Sequence, residues 1–465
     1  MIRVFNHYLP TSIIVLVMIE AAILLLSIYL GVSVRFLDPS VLTVSGAPPL
    51  LPMALVFAAV MMTVMTAFGL YHWEFHEELS DTILRLGASF VVGLGIMSFV
   101  FYLFPNLFLG RGVIGIVFIS SLGGIVAVRL VFFKWADLEF LKPRILVLGS
   151  GTRAAQIDSI MRSGSGRHKM HIVGYLPLKS TSHSVHMSRL LPDTEPLPNI
   201  VDKYRIDEIV IAVRDRRGGG MPIDELLECK LRGIRVIELS TFFERETGQV
   251  QISSLNASWM VLSDGFRQGY MRDVVKRIFD IGVSLVLLAL AAPIMILTAI
   301  AILLESGHPI LYRQERVGQG GRSFMILKFR SMRVDAETGG APQWASANDR
   351  RVTAVGRVIR KLRIDELPQI FNVLAGQMSF VGPRPERPYF VDQLAQRIPY
   401  YNSRHSVKPG ITGWAQVRYP YGASVEDAIE KLQYDLYYVK NHSLFLDLMI
   451  LANTAQVVLW GKGAR

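Results

Sequence analysis

The chain has 465 residues, 51% of them hydrophobic and only 19% charged, a balance that excludes an ordinary soluble protein and calls for membrane segments. Its formal net charge of +11 is unevenly placed, because residues 1–143 carry 7 Lys/Arg against 8 Asp/Glu, a net of −1, which leaves +12 for 144–465. A basic portion beside apolar segments points to anionic partners (lipid headgroups, phosphates or nucleic acid), while the single cysteine, Cys229, excludes an internal disulfide and reads as a small buried hydrophobe.

Four apolar stretches occupy 12–34, 50–71, 83–104 and 112–133. Each is close to the ~20 residues that cross a bilayer as a helix. The first is too long for a cleaved signal and reads as an anchor. Glu20 lies inside it, where an acid either serves function or faces the bundle in a pair. Arg129, Lys134, Lys142 and Arg144 flank the last exit and place the following domain in the cytoplasm. His72 and His76, beside Glu77 and Glu78, fit a solvated interfacial loop better than a metal site.

From 143 to 262 the pattern alternates. Strand candidates are 145–149, 171–176, 206–213 and 234–239, with helices after Gly149–Ala154 and near 222–232, which predicts a small doubly wound α/β domain with a parallel sheet. The turn Gly149-x-Gly151-x-x-Ala154 stands where a dinucleotide fingerprint belongs, but Leu176-Pro177 replaces the acid that should follow the second strand. Residues 177–198 read as a mobile surface loop.

The segment 272–305 holds a fifth apolar run, which begins after Lys276 and Arg277 and contains Pro293 near its middle. A proline there removes a helix hydrogen bond and clashes with the preceding turn, so the run is either a re-entrant hairpin or a kinked crossing helix. Beyond it, 355–364 and 443–460 suit helices lying at a membrane surface.

The chemistry gathers at 360–390. Pro368 and Gly376 bracket a helix over about 366–375, which sets Asp365 and Glu366 at its N-terminus, where free N–H groups and the helix dipole favour anions. Adjacent carboxylates repel, so a divalent cation, Mg²⁺ by preference, or arginines must lie close. Arg357, Arg360, Lys361, Arg363, Arg384 and Arg387 surround the pair in sequence, and Arg384 is fixed between two prolines. Arg313, Arg316, Lys328 and Arg330 come from two strand candidates joined by a Gly-rich turn. Lys408 and Arg418 accompany aromatics able to stack on a base or sugar. Carboxylates among guanidinium groups form a place to hold a diphosphate and attack phosphorus.

The stretches RQERVG, KFRSM, DELPQIFNVLAGQMSFVGPRP and KPGITGWAQV, in this order, resemble the monotopic phosphoglycosyltransferases that initiate bacterial glycan assembly. With its N-terminal spans the whole chain resembles the large form, the polyprenyl-phosphate glycosylphosphotransferases, and RYPYGAS and MIRVFNHYLP resemble the exosortase-associated subgroup. The resemblance implies a four-span transmembrane region (1–142), a Rossmann-like α/β middle domain (143–265) and an α+β catalytic domain (272–465) with a re-entrant helix over 275–305 broken at Pro293. It implies that Asp365 attacks the β-phosphorus of a UDP-sugar, releases UMP and holds the phosphosugar. Glu366 then binds Mg²⁺ and assists the incoming polyprenyl phosphate, and Arg384 binds phosphate. The protein is expected in the bacterial inner membrane, among membrane lipids, with its catalytic domain on the cytoplasmic face; a homodimer stays open. Ala292 departs from the serine that many members carry before this proline. A nucleotide-sugar oxidoreductase or epimerase needs a ribose-binding acid and a Tyr/Lys pair, and neither is found. A non-catalytic assembly protein would leave the acids dispensable. No nucleic-acid recognition motif is present.

Overall fold

The computed structural model describes the chain except residues 1, 5–6, 10, 37–49, 72–78, 108–109, 137–141, 163–169, 179–183, 193–194, 214–220, 253–265, 267–268, 334–350, 420–421, 423 and 461–465. His72, His76, Glu77 and Glu78 lie outside the described residues, as do parts of 1–10 and of RYPYGAS. The chain divides into two bodies, chiefly Leu9–Ser254 and Leu255–Arg465.

In the first body, helices Thr11–Phe36, Leu50–Ala67, Leu79–Leu103 and Arg111–Ala136 stand on the four apolar stretches. All four contain segments long and apolar enough to cross a membrane, as does Tyr270–Ser306 in the second body. Leu24, Met61, Leu86 and Ile125 fill the space between these helices, while Met18, Leu84, Val91 and Ile119 are exposed on their outer faces. Apolar side chains on both faces suit a helix whose surroundings are hydrocarbon. Glu20 faces inward and is paired. Arg129 donates to its two carboxylate oxygens at 2.7 and 3.1 Å, and Tyr71 donates at 2.6 Å. Arg129 also donates to the Leu70 carbonyl at 3.1 Å, so the buried pair ties the first helix, the fourth helix and the turn after the second.

The same body holds a parallel sheet in the order 171–176, 144–148, 208–211, 235–238. Its inner strands, RILVL and EIVI, are buried almost throughout, the near-continuous apolar pattern of a sheet covered on both faces. Helices Thr152–Arg162 and Ile223–Leu231 fall where the sequence places them, and Cys229 is buried. Of the stretch read as a loop, 177–198, the described residues before Leu197 hold only the turn Met187–Arg189, and the last two residues open a helix. Leu190 bridges Tyr175, the Ser184 N–H donates to the Ser150 carbonyl at 2.7 Å, and a helix begins at Leu197 and runs to Tyr204. Its prolines hid a short helix whose Leu197, Ile200 and Val201 join the core under the sheet.

In the second body one helix runs from Tyr270 to Ser306 with Pro293 inside it. It is followed by an antiparallel hairpin, Leu311–Val317 with Ser323–Phe329, turning at 318–322. Helix Ala354–Lys361, a tight turn Ile364–Glu366 and a short helix Gln369–Leu374 come next. Strand Ser379–Val381 pairs in parallel with Gly410–Thr412, and helices Val425–Asn441 and Leu444–Trp460 close the chain.

That parallel pair explains two glycines in the motifs. A Cβ on Gly382 would lie 2.2 Å from the Lys408 carbonyl oxygen, and one on Gly410 would lie 2.1 Å from the Gly382 nitrogen. Only bare backbone lets the two segments approach so closely.

Candidate active site

Asp365 and Glu366 sit on a 3₁₀ turn, entered through Arg363 in the left-handed conformation (φ 57°). Ile364 and Leu367, on either side of the acids, pack against the cluster of Ile302, Phe329 and Ile359. Burying these flanks leaves the acids at the edge of the cluster. The expected helix begins later than the sequence suggests, at Gln369. The Glu366 and Leu367 N–H groups donate to the Arg363 and Ile364 carbonyls at 3.3 and 3.1 Å, so these two are already used within the chain. Side-chain cations instead set the charge of Glu366.

Glu366 is the hub. Its Oε1 accepts from Lys328 Nζ at 2.9 Å and Arg384 at 3.1 Å, with Arg363 at 3.8 Å. Burial pushes its carboxyl up, but Arg384 and Lys328 outweigh that and hold it well below the usual carboxylate range. Asp365 receives no side-chain hydrogen bond among the described residues. Its pKa is raised, first by burial and then by the neighbouring Glu366 charge, against the pull of Lys328, Arg363 and Arg360. Lys328 is itself lowered by burial, with Glu366 opposing. Two adjacent acids are thus driven apart: one locked as an anion in a cation cage, the other with no side-chain hydrogen bond among the described residues.

Several elements position these groups. Lys328 comes from the second hairpin strand, whose neighbour Leu327 donates its N–H to Asn372 Oδ1 at 2.9 Å, while Asn372 donates back to the Met325 carbonyl at 2.8 Å. Gly376 (φ 80°) ends the short helix as expected, and Arg277 donates to the Val373 and Leu374 carbonyls there, both at 2.6 Å. Asp280 accepts from the Ser379 hydroxyl at 3.0 Å and the Phe380 N–H at 3.2 Å. Lys276 donates to the Val381 carbonyl at 3.1 Å. The start of the long apolar helix therefore grips the segment that leads into Pro383-Arg384-Pro385.

The other sequence candidates are distributed differently. Arg316 donates to the Pro385 carbonyl at 3.0 Å and lies 3.6 Å from Glu386; burial lowers its pKa. It supports the arginine segment from the side. Arg313, on the opposite face of its strand, is exposed. Arg330 is buried and donates to the Ser306 carbonyl and hydroxyl and the Gly307 carbonyl, which fastens the far end of the long helix. Lys408 stands near Arg277, Asp280 and Asp273, and burial lowers its pKa. Arg418 lies over the Trp414 ring at 4.2 Å, and burial pushes its pKa down to about 10. Trp414 is buried and stacked on Tyr437, so it belongs to the core and offers no face to a base or sugar.

Sequence reasoning missed Arg404 and Asp435. Arg404 donates to Asp435 at 3.0 and 2.7 Å, to the Tyr401 hydroxyl at 2.8 Å and to the Arg384 carbonyl at 3.0 Å. Nothing in the local pattern marks them, because their partners are distant in sequence.

This fold and site join apolar helices long enough to cross a membrane to an acid pair set among cationic side chains. The sequence profile described as bacterial sugar transferase matches residues 271–461. A UDP-glucose:undecaprenyl-phosphate glucose-1-phosphate transferase of Caulobacter vibrioides is 44% identical over 189 residues, 40% of this chain and 70% of that protein. A UDP-N-acetylgalactosamine-undecaprenyl-phosphate N-acetylgalactosaminephosphotransferase of Aeromonas hydrophila is 45% identical over 261 residues, 56% of this chain. A Xanthomonas campestris UDP-glucose:undecaprenyl-phosphate glucose-1-phosphate transferase is 44% identical over 193 residues. The chain spans 61% of the Aeromonas relative and 40% of the Xanthomonas one. It belongs to the bacterial sugar transferase family.

Proposed function

We propose that the protein transfers a sugar-1-phosphate from a UDP-sugar to undecaprenyl or a similar polyprenyl phosphate, the initiating step of an exopolysaccharide. The observation that carries this reading is the pairing of Glu366 with Lys328 and Arg384 beside an Asp365 that forms no side-chain hydrogen bond among the described residues. The names of the relatives support the substrate classes.

In the first step an Asp365 carboxylate oxygen forms a bond to the β-phosphorus. The bond from that phosphorus to the oxygen bridging the two phosphates breaks, and UMP leaves with the electron pair. In the second step a phosphate oxygen of the polyprenyl acceptor attacks the same phosphorus, the acyl-phosphate bond breaks, and Asp365 returns as a carboxylate. One phosphoanhydride replaces another, so no ATP is consumed. Arg384 and Lys328 stabilise charge on the phosphoryl oxygens. Glu366, held strongly ionised, acts as the anchor that orders these cations; a carboxyl of such low proton affinity makes a poor general base. Among the described residues no third acid or histidine gathers with the pair. Mg²⁺ commonly takes one or two carboxylates plus substrate phosphates, so Asp365 and Glu366 fit it in that form, and it would supply further charge neutralisation when bound.

The placement of this chemistry follows from the same reading: four N-terminal spans in the cytoplasmic membrane, a Rossmann-like middle domain, and Tyr270–Ser306 as a re-entrant hairpin that keeps the acids on the cytoplasmic face. A straight helix at ~1.5 Å per residue would separate Arg277 from Ile302 by roughly 37 Å. Yet Arg277 grips Val373, and Ile302 belongs to the cluster on which Leu367, six residues earlier, is packed. Both ends of the long helix thus hold one short segment, which supports a bend at Pro293.

Membranes containing the full chain, given a UDP-sugar panel and polyprenyl phosphate, are expected to release UMP. Asp365→Asn is expected to release none. Release by that variant at the wild-type rate would refute the reading.

A further inference from the structure

Glu386 lies two residues beyond Arg384, and the backbone between them is held at three points. Arg404 donates to the Arg384 carbonyl and Arg316 to the Pro385 carbonyl, both at 3.0 Å, and the Val317 N–H donates to the Glu386 carbonyl at 2.9 Å. Pro383 and Pro385 restrict the same stretch. Pro385 is buried while Arg384 and Glu386 are partly exposed, the alternation of an extended chain whose residues i and i+2 share a side. Two residues of such a chain span ~6.6 Å. The two side chains are therefore presented together from one firm support.

They differ in what they already hold. Arg384 is bonded to Glu366. The Glu386 carboxylate, 30% exposed, accepts no hydrogen bond among the described residues; its one ion-pair contact there is Arg316 at 3.6 Å, beyond hydrogen-bond reach. Arg404 and Lys431 also stand near enough to feel its charge, yet neither takes up its lone pairs. A carboxylate only accepts, at about four lone-pair sites, so this one suits a ligand that brings two donors. A vicinal diol does so, and an acid reads the ribose 2′-hydroxyl in this way in dinucleotide-binding folds.

The position of Glu386 relative to the acid pair distinguishes between the diols of a nucleotide-sugar. In phosphoryl transfer the attacking and leaving oxygens lie roughly in line, so a UMP displaced by Asp365 extends away from the acids. Arg384 meets Glu366 on one side, whereas Glu386 stands toward Tyr401, Arg404 and Asp435. The leaving nucleotide runs in that direction, and its first vicinal diol is that of the ribose.

We propose that Glu386 binds the ribose diol of the donor nucleotide and thereby selects ribonucleotide over deoxyribonucleotide donors, such as thymidine diphosphate sugars. The assignment rests on the proposed transfer from a UDP-sugar and extends it to the leaving group: Arg384 holds the diphosphate, and Glu386 holds the diol beyond it.

The test measures equilibrium binding of UDP, 2′-deoxy-UDP and 3′-deoxy-UDP to the full chain in lipid nanodiscs with Mg²⁺ present, beside UMP release from a UDP-sugar panel. Wild type is expected to bind UDP about tenfold to a hundredfold more tightly than either deoxy form. Glu386→Ala is expected to lose that preference. The ratio is the readout, because damage to the fold, or loss of a negative charge beside the diphosphate, moves all three nucleotides together. A ratio unchanged in Glu386→Ala, or close to one in the wild type, overturns the proposal, as does a failure of UDP to bind. Where Glu386→Ala lowers the thermal midpoint, Glu386→Gln, of the same shape, is read in its place; both deoxy penalties intact in that variant overturn the proposal as well. A penalty confined to deoxy positions of the transferred sugar would give Glu386 to the sugar and refute the ribose assignment. UMP release without a ribose preference sinks this inference and leaves the transfer reading standing. A ribose preference that depends on Glu386, in a chain that releases no UMP, does the reverse.

Discussion

Arg404 donates to the main-chain oxygen of Arg384 at 3.0 Å, so a buried side chain holds in place the residue whose own guanidinium bonds Glu366. Arg404 is in turn fixed by Asp435 at 2.7 Å. Glu366, Arg384, Arg404 and Asp435 form two ion pairs, joined through the Arg384 carbonyl, that run from the site into the core.

These joined pairs predict a split between folding and function. Arg404→Ala leaves Asp435 buried without its cation, a loss of about 3–5 kcal/mol in stability, read as a lower thermal midpoint in detergent. Arg404→Lys keeps the charge and loses the fork, so it is expected to retain much of the midpoint while the turnover rate falls. A fully active Arg404→Lys would show that the bond to Arg384 does not matter.

The proton balance of Asp365 sets the pH dependence. A nucleophilic carboxylate must be ionised, and burial together with Glu366 raises its pKa. UMP release is therefore expected to fall on the acid side at a pH above that of an ordinary aspartate. Lys328 lowers that pKa, so Lys328→Met removes a positive charge, favours the protonated form and moves the acid limb to higher pH. A limb that stays in place or moves lower, seen in a pH profile of initial rates, would contradict this assignment.

Backbone approach at Gly382 is equally testable. The Cβ of Gly382→Ala would meet the Lys408 carbonyl oxygen at 2.2 Å, which forces the two strands apart. Overpacking of this kind costs about 1–3 kcal/mol. Arg384 is two residues away, so activity should fall further than the thermal midpoint suggests. Hydrogen exchange at Ser379–Val381 reports the separation directly.

In the apolar helices the Glu20–Arg129 pair is expected to behave as a lock. Glu20→Leu alone strands Arg129 and lowers stability by about 3–5 kcal/mol, whereas the double change Glu20→Leu/Arg129→Leu recovers most of it. Thermal aggregation in detergent separates the two variants from the wild type. A double variant no better than the single one would argue that Glu20 or Arg129 has a role outside the pair.

The elements that could be read from the sequence are those whose information is local. The apolar runs, the strands of the parallel sheet and the hairpin around 318–322 have periodicities and turn residues written into a few neighbours. Gly376 ended its helix as its φ preference requires. Helix Leu197–Tyr204 was hidden because prolines and polar residues outweighed its three apolar anchors. At the site, Asp365, Glu366, Lys328 and Arg384 were legible as an arginine-rich acidic motif. Arg330 and Arg418 have the same chemistry in sequence, but folding directs one to the end of the long helix and the other onto Trp414. Arg404, Asp435 and Asp280 act through partners dozens of residues away or more, so no local pattern could point to them.

Asp365 is the proposed carrier of the phosphosugar. Full-length protein incubated with a UDP-sugar labelled in the sugar, without acceptor, and then quenched in acid and digested, should yield one peptide containing Asp365 that bears the sugar phosphate. Addition of polyprenyl phosphate before the quench should remove the label, and Asp365→Asn should never acquire it. A label that persists in Asp365→Asn, or that maps to another residue, would contradict the account.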